Sequence, residues 1–281
     1  MTGAELVARI LKEHGVAFVS TLCGNGIDPV LYACRGAGMR VIDTHNEQTA
    51  AYMAESYARL TGRIGVCAVS SAVGFTNALI GAVNAWFDGA PMLLIAGASD
   101  HAYAGRGSFQ DFDQVTAARP IFKYAHLVDR ADTIAFHVRE AIVTAISGRP
   151  GPVHLTIPLD VLAADVGQET PTPATSAQDG IVRPRGAAPP DAVAEAAAVI
   201  GAASRPLLIA GSGLFYAHAE DVLASLVTQT NMPVVVPIWD RGCIASPLPQ
   251  FMGVIGAASG SAPLLDAADL VVVAGARVDY R

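Results

Sequence analysis

An acid that opens a helix straight after a strand is well placed to handle protons, and Glu47 holds such a position. The apolar run Val41-Ile42 ends in Asp43, and His45-Asn46-Glu47 leads into a strongly helical stretch over 46–60. Ala51, Ala54 and Ala58 share the face of Glu47 at spacings of three and four. A carboxylate heading a face of alanines is expected to point toward the sheet, where it can share a proton away from bulk water. The other reading is a favourable partner for the helix dipole, and the residues alone leave both open. Three more loops end strands: Gly24-Asn25-Gly26, Ser70-Ser71-Ala72-Val73-Gly74, and the long stretch 98–118, which contains Phe109 and Gln110. The turn at Gly74 opens a helix and fits an anion site. Gly211-Ser212-Gly213 fits either a tight turn or a dinucleotide phosphate. There is no Walker sequence and no complete nucleophile elbow. His14, His45, His101, His126, His137, His154 and His218 lack metal-ligand spacing, and no cysteine pair forms C-x-x-C. His154, inside a strand, reads as a satisfied core residue.

Regular alternation of helix and strand patterns places those loops on one edge. Thr2 with Glu5 makes a capping box for a first helix that Gly15 ends. Strands are expected at 17–22, 39–43, 64–70, 92–96 and 153–157, and helices from Pro29 and over 46–60, 75–86 and 132–147. Such alternation predicts a doubly wound α/β domain, its parallel sheet covered by helices on both faces. Ligands then bind at the carboxyl ends of the strands. Residues 163–190 carry Pro171, Pro173, Pro184, Pro189 and Pro190 among small polar residues and read as a linker. A second α/β unit follows, with helices at 191–203 and 218–230 and strands at 206–210, 234–236 and 270–274. The expected division is 1–162, linker 163–190, and 191–281, the last an incomplete Rossmann-like domain.

Composition narrows the functions. Apolar residues make up 52% of the 281 and charged residues only 15%, enough for two buried cores. A net charge of -7 with scattered basic residues argues against nucleic acid as a partner. No apolar run approaches the roughly 18–20 residues that span a bilayer. Four unpaired cysteines and the lack of a leader pattern predict a reduced, cytoplasmic setting.

The string Asn46-Glu47-Gln48-Thr49-Ala50-Ala51-Tyr52-Met53-Ala54-Glu55 resembles the helix that carries the catalytic glutamate in the acetolactate-synthase-like family of thiamine-diphosphate enzymes. Further matches come in the family's order. They are Ser71-Ala72-Val73-Gly74-Phe75-Thr76-Asn77, Asn84-Ala85-Trp86-Phe87-Asp88, Ser108-Phe109-Gln110-Asp111, Arg149-Pro150-Gly151-Pro152 and Gly275-Ala276-Arg277. Asn46-Glu47-Gln48 and Phe109-Gln110-Asp111-Phe112 are also similar to the 2-hydroxyacyl-CoA lyase and oxalyl-CoA decarboxylase branch. Ile27-Asp28 and Gly74-Phe75-Thr76-Asn77 are similar to benzaldehyde lyase.

This resemblance implies a pyrimidine-binding domain followed by a partial central domain. It implies a carboligase, lyase or decarboxylase acting on 2-keto acids or 2-hydroxy acyl compounds. Glu47 is implied to hydrogen-bond the aminopyrimidine ring nitrogen of thiamine diphosphate and favour its imino tautomer, which takes the thiazolium C2 proton. Gly24, Asn25, Gly26, Ser71, Gly74 and Asn77 are implied to lie at the cofactor, Gln110 to assist catalysis, and Phe109 to face the substrate. Magnesium and the diphosphate would be held by a separate domain or subunit, within a homo- or hetero-dimer or tetramer. In some relatives the central domain takes FAD or ADP. Two rival expectations are a silent regulatory or pairing subunit, and a nucleotide-binding module using Gly211-Ser212-Gly213. In the family a glycine-proline-glycine turn stands where this chain has Ala72-Val73-Gly74.

Overall fold

A computed structural model describes residues 1–167, 186–240, 242–256 and 263–279. The chain divides into two units, Met1–Pro184 and Arg185–Arg281. Most of the expected linker, 168–185, lies outside the described residues.

In the first unit, Glu5 N–H donates to Thr2 Oγ1 at 3.2 Å and Thr2 N–H to Glu5 Oε2 at 2.8 Å. This reciprocal box starts α1 (Gly3–Glu13). There follow β1 (Phe18–Leu22), α2 (Asp28–Gly36), β2 (Arg40–Asp43), α3 (Glu47–Thr61), β3 (Gly65–Val69), α4 (Val73–Asp88) and β4 (Met92–Ala98). After them come α5 (Gln114–Ala118), β5 (Tyr124–Leu127), α6 (Ile134–Ile146), β6 (Pro152–Pro158) and α7 (Leu159–Ala163). All strand pairs are parallel, in the order β2-β1-β3-β4-β6-β5. The chain leaves β1 for β2 on one side and then crosses to β3 on the other. That reversal opens a crevice at the carboxyl edge between β1 and β3.

Strand alternation builds two cores. Val66, Ala68, Leu93, Ile95, Val153 and Leu155 pack with residues of α1, α2 and α6, whereas Cys67, Val69, Met92, Leu94 and Ala96 pack with α3 and α4. The second core is made of small residues: Ala50, Ala51, Ala54 and Ala58 on α3 and Ala78, Ala82 and Ala85 on α4, all buried. A Cβ on Gly81 would sit 2.6 Å from Ala51 Cβ, and one on Gly65 would collide with the carbonyl oxygen of Ala54. A backbone oxygen cannot rotate aside. Gly65→Ala is therefore expected to cost about 2 kcal/mol by overpacking, read as a lower urea midpoint at unchanged slope.

The long loop expected over 98–118 stays irregular to Asp113, with one 3-10 turn at His101–Tyr103. Its last five residues instead form α5, started by Asp113 Oδ1, which accepts Thr116 N–H at 3.0 Å. Periodicity does not predict β5 either. Tyr124-Ala125-His126-Leu127 has no apolar run and is a strand because it pairs with β6 at the sheet edge.

The second unit contains α8 (Pro190–Ala202), β7 (Pro206–Ala210), α9 (Ser212–Tyr216), α10 (Glu220–Thr230), β8 (Val234–Pro237), β9 (Phe251–Ile255), α11 (Pro263–Ala267) and β10 (Leu270–Ala274). Its sheet is also parallel, ordered β10-β7-β8-β9. Leu208, Ala210, Leu223, Val227, Val234 and Val236 form the core on one face, and Leu207, Val235 and Ile255 the smaller one opposite. The register between β8 and β9 slips between Val234 and Val235, which breaks the alternation that would have announced β9. Two doubly wound parallel sheets are the fold class expected from the sequence.

Candidate active site

The first turn of α3 is built around Glu47. Asn46 caps the helix, its Oδ1 accepting Gln48 N–H at 2.8 Å. Glu47 is half-buried, and its Oε2 accepts from Asn77 Nδ2, on α4, at 2.6 Å. Asn77 Oδ1 in turn accepts from Gln48 Nε2 at 3.0 Å. Both ends of the Asn77 amide are thus spent on α3, which orients the carboxylate. Glu47 Oε1 has no hydrogen-bond partner among the described residues. It lies beside Gly74, where a Cβ would come within 3.3 Å of it and collide with Ser70 Oγ. One carboxylate oxygen is tied down, and the other is open above backbone that carries no side chain.

A second chain of contacts joins the loops after β1, β3 and β4. Asn25 Nδ2 donates to Ser71 Oγ at 3.1 Å, and Ser71 Oγ donates to Gln110 Oε1 at 3.2 Å. Asn25 Nδ2 also reaches the carbonyl oxygen of Phe109 at 3.4 Å, which Ser99 Oγ meets at 3.2 Å. Gln110 takes a left-handed φ of 59°, uncommon for a residue with a side chain. Gly24 lies against Ser70, with room for only a tight Cβ at 3.0 Å. Glu47, Asn77, Gly74, Gly24, Asn25, Ser71 and Gln110 thus gather at the carboxyl edge of the sheet, after β1 to β4. Gly26 is different: it is buried against Gly97 and Ala98, and a Cβ there would sit 2.8 Å from Ala98 N. The Phe109 ring is 73% exposed and is held through its backbone alone. His101 Nδ1 pairs with Asp160 Oδ2 at 3.0 Å and ties the same loop to the start of α7.

Sequence reading missed Gln114 and Thr156 beneath this edge, whereas His154 is the satisfied core residue it expected. Gln114 is buried, and its Oε1 accepts Ala72 N–H at 2.9 Å. Its Nε2 donates to the carbonyl oxygen of Gly97 at 3.1 Å and to Thr156 Oγ1 at 3.2 Å. The Thr156 hydroxyl donates to His154 Nε2 at 2.8 Å, and His154 Nδ1–H donates to the carbonyl oxygen of Leu94 at 3.0 Å. This pattern needs a neutral imidazole, and burial pushes His154 down to about 3. The unfolded side chain titrates near 6.5. Only the unfolded state takes up this proton as pH falls from about 6.5 toward 3, so stability drops there by about 1.4 kcal/mol per pH unit. In urea unfolding at about pH 6 and about pH 5, His154→Gln is expected to flatten that slope. Cys67 is buried as expected of a core thiol. Burial pushes it up to about 12, with the charge of Glu47 adding to the effect.

In the second unit, the Gly211-Ser212-Gly213 turn packs on the loop after β10. A Cβ on Gly211 would collide with Ala276 Cα, and one on Gly213 would sit 2.8 Å from Gly275 Cα. Ser212 Oγ donates to Asp240 Oδ1 at 3.2 Å. Both glycines therefore have a packing reason, and a carboxylate is a poor neighbour for a phosphate. Among the described residues no group of three or more His, Cys, Asp or Glu is arranged to hold a metal ion, and no helix is long and apolar enough to cross a membrane.

Comparison with known proteins agrees with this picture. The family described as "Thiamine pyrophosphate enzyme, N-terminal TPP binding domain" matches residues 1–117, and "Thiamine pyrophosphate enzyme, central domain" matches 193–281. The mouse (Mus musculus) 2-hydroxyacyl-CoA lyase 2 is 35% identical over 309 residues, covering 99% of this chain and 48% of the relative. Mouse 2-hydroxyacyl-CoA lyase 1 is 33% identical over 280 residues, covering 100% and 47%. The 2-hydroxyacyl-CoA lyase 2 of Caenorhabditis elegans is 45% identical over 160 residues, covering 57% and 25%. The chain spans about half the length of the mouse relatives it matches. With both domain types matched in order on the two sheets, the chain belongs to the thiamine pyrophosphate enzymes, of which it carries an N-terminal TPP binding domain and a central domain.

Proposed function

We propose that this chain supplies the pyrimidine-holding part of a thiamine-diphosphate-dependent lyase. The enzyme would break, or in reverse form, the carbon–carbon bond beside the hydroxyl carbon of a 2-hydroxyacyl compound. The relatives' names supply the substrate class, an acyl-CoA. The observation that carries the cofactor reading is the open Oε1 of Glu47 above Gly74. A protonated ring nitrogen of an aminopyrimidine is a donor of the right kind for that oxygen, and Gly74 leaves the flat ring room to approach. When bound, thiamine diphosphate would supply an electron sink for the pair left on the former carbonyl carbon.

The chain's own residues set that up. Glu47 accepts the ring N–H and, by its charge, favours the protonated ring. Asn77 prevents the carboxyl from turning, so one oxygen always faces the ligand. Asn25, Ser71 and Gln110 bring amide and hydroxyl groups to the substrate side, and the apolar ring of Phe109 borders it. In this reading Mg²⁺ and the diphosphate are held by a diphosphate-binding domain of the same protein or of a partner, and the site lies between the subunits of a dimer or tetramer. FAD or ADP in the central unit is tested by assaying the purified chain for retained flavin or adenine nucleotide.

The decisive assay combines the chain with its diphosphate-binding domain and follows aldehyde release from a 2-hydroxyacyl-CoA, with and without thiamine diphosphate and Mg²⁺. Release should need both. Equal rates without thiamine diphosphate would end this reading, and cofactor binding without release would mark a silent pairing subunit.

A further inference from the structure

Ala72 sits in a conformation that suits glycine. Its φ is 46° and ψ -89°, and it immediately precedes α4 with no side-chain cap. Left-handed backbone of this kind crowds a Cβ and costs an ordinary residue free energy, so such strain persists only where the surroundings over-determine it. Two backbone bonds act locally: Gly74 N–H to the carbonyl oxygen of Ser71 at 3.3 Å, and Thr76 N–H to that of Ala72 at 2.7 Å. The Ala72 N–H itself points inward, to Gln114 Oε1 at 2.9 Å.

Gln114 has no freedom to give that bond up. Its amide cannot be reversed, because Gly97 contributes a carbonyl oxygen and Ala72 an N–H, and each accepts only one orientation. Thr156 and the neutral His154 extend the same polarity down to Leu94 on β4. The turn is thus tied to the middle of the sheet through buried groups whose donors and acceptors are all matched. What the turn sets is the start of α4, hence the place of Gly74 and Asn77 relative to Glu47.

We propose that Gln114 is a positioning residue. Its side-chain amide holds the strained Ala72 turn and, through the first turn of α4, sets the Asn77–Glu47 hydrogen bond. The functional part of this inference rests on the reading of Glu47 as the cofactor's carboxylate, whereas the structural part does not.

The test is a double-mutant cycle on this chain with Gln114→Leu and Ala72→Gly. Glycine takes the turn without strain, so it needs the clamp less. Gln114→Leu should shift the unfolding equilibrium at least about fivefold less in the Ala72→Gly background than in the parent. In the parent background the Asn77 side-chain amide signals in a nitrogen–proton NMR spectrum should move, although Gln114 does not touch Asn77. The double variant should bring them back toward the starting position. Turnover of the assembled enzyme should fall with Gln114→Leu by up to about a hundredfold and recover in part in the double variant.

Equal penalties in both backgrounds, unmoved Asn77 signals in the folded variant, or failure to fold in both backgrounds would each overturn the proposal. Gln114 would then be an ordinary core residue. If the NMR and stability results hold but Glu47→Gln is fully active, the positioning network stands and the cofactor reading alone fails.

Discussion

Replacing Glu47 with glutamine is expected to lower turnover of the assembled enzyme about 10²–10⁴-fold, the range associated with losing a proton-handling group. The substitution keeps shape and length. The new amide can present its oxygen to Asn77, where Oε2 now accepts at 2.6 Å. Its NH₂ then occupies the place of Oε1 and meets a ring N–H donor to donor. Turned the other way, it opposes Asn77 Nδ2 instead. In either orientation the negative charge that favours a protonated ring is gone. Folding should barely change, because a half-buried acid in a first helical turn contributes about 0.3–1 kcal/mol through the helix dipole. Stopped-flow turnover with saturating thiamine diphosphate, alongside urea unfolding, separates the two effects. A variant as fast as the parent would remove Glu47 from the mechanism.

The second large effect is expected at Gly74. A methyl group there meets Ser70 Oγ and stands 3.3 Å from Glu47 Oε1, in the space assigned to the ring. Gly74→Ala should weaken thiamine diphosphate binding about 10- to 100-fold, the loss of roughly 1.4–2.8 kcal/mol of contact. The same change sets a gain of about 0.5–1 kcal/mol from removing a flexible residue in the first turn of a 16-residue helix against the contact with Ser70 Oγ, which must rotate aside. Affinity should therefore fall far more than stability changes, which general damage to the fold would not produce. Titration calorimetry on the assembled enzyme and urea midpoints on the chain measure them. Unchanged affinity would show that the cofactor does not pass over Gly74.

Much of this arrangement is legible in the sequence because it is local. Thr2 and Glu5 declare their helix, Gly62 ends α3 in a left-handed turn, and the alanines at 51, 54 and 58 mark the buried face beneath Glu47. Strand β7 occupies the residues its apolar run predicts. Other features depend on partners distant in sequence. Strand β5 exists through β6, and a bulge at Met252 within β9 erases its alternation. Gln114 acquires its role from Ala72, 42 positions earlier, and from Thr156, 42 positions later. Nothing in the residues around Gln114 signals that. Ala72 is the instructive case: an alanine is no turn signal, yet the backbone there takes the form a glycine would choose. The open oxygen of Glu47 was equally hidden, since it depends on Asn77 engaging the other one.

The alanine and glycine seam between α3 and α4 has a consequence for how this protein can change. Two helices meeting backbone to backbone have no long side chains that can repack, so they shift together or not at all. The spacing between Glu47 and Asn77 then depends on this seam and on the Gln114 clamp, and is insulated from sequence drift outside them. On the proposed function, altered substrate preference should accumulate in the irregular stretch 99–109, which lies outside both the seam and the helix that carries Gln114.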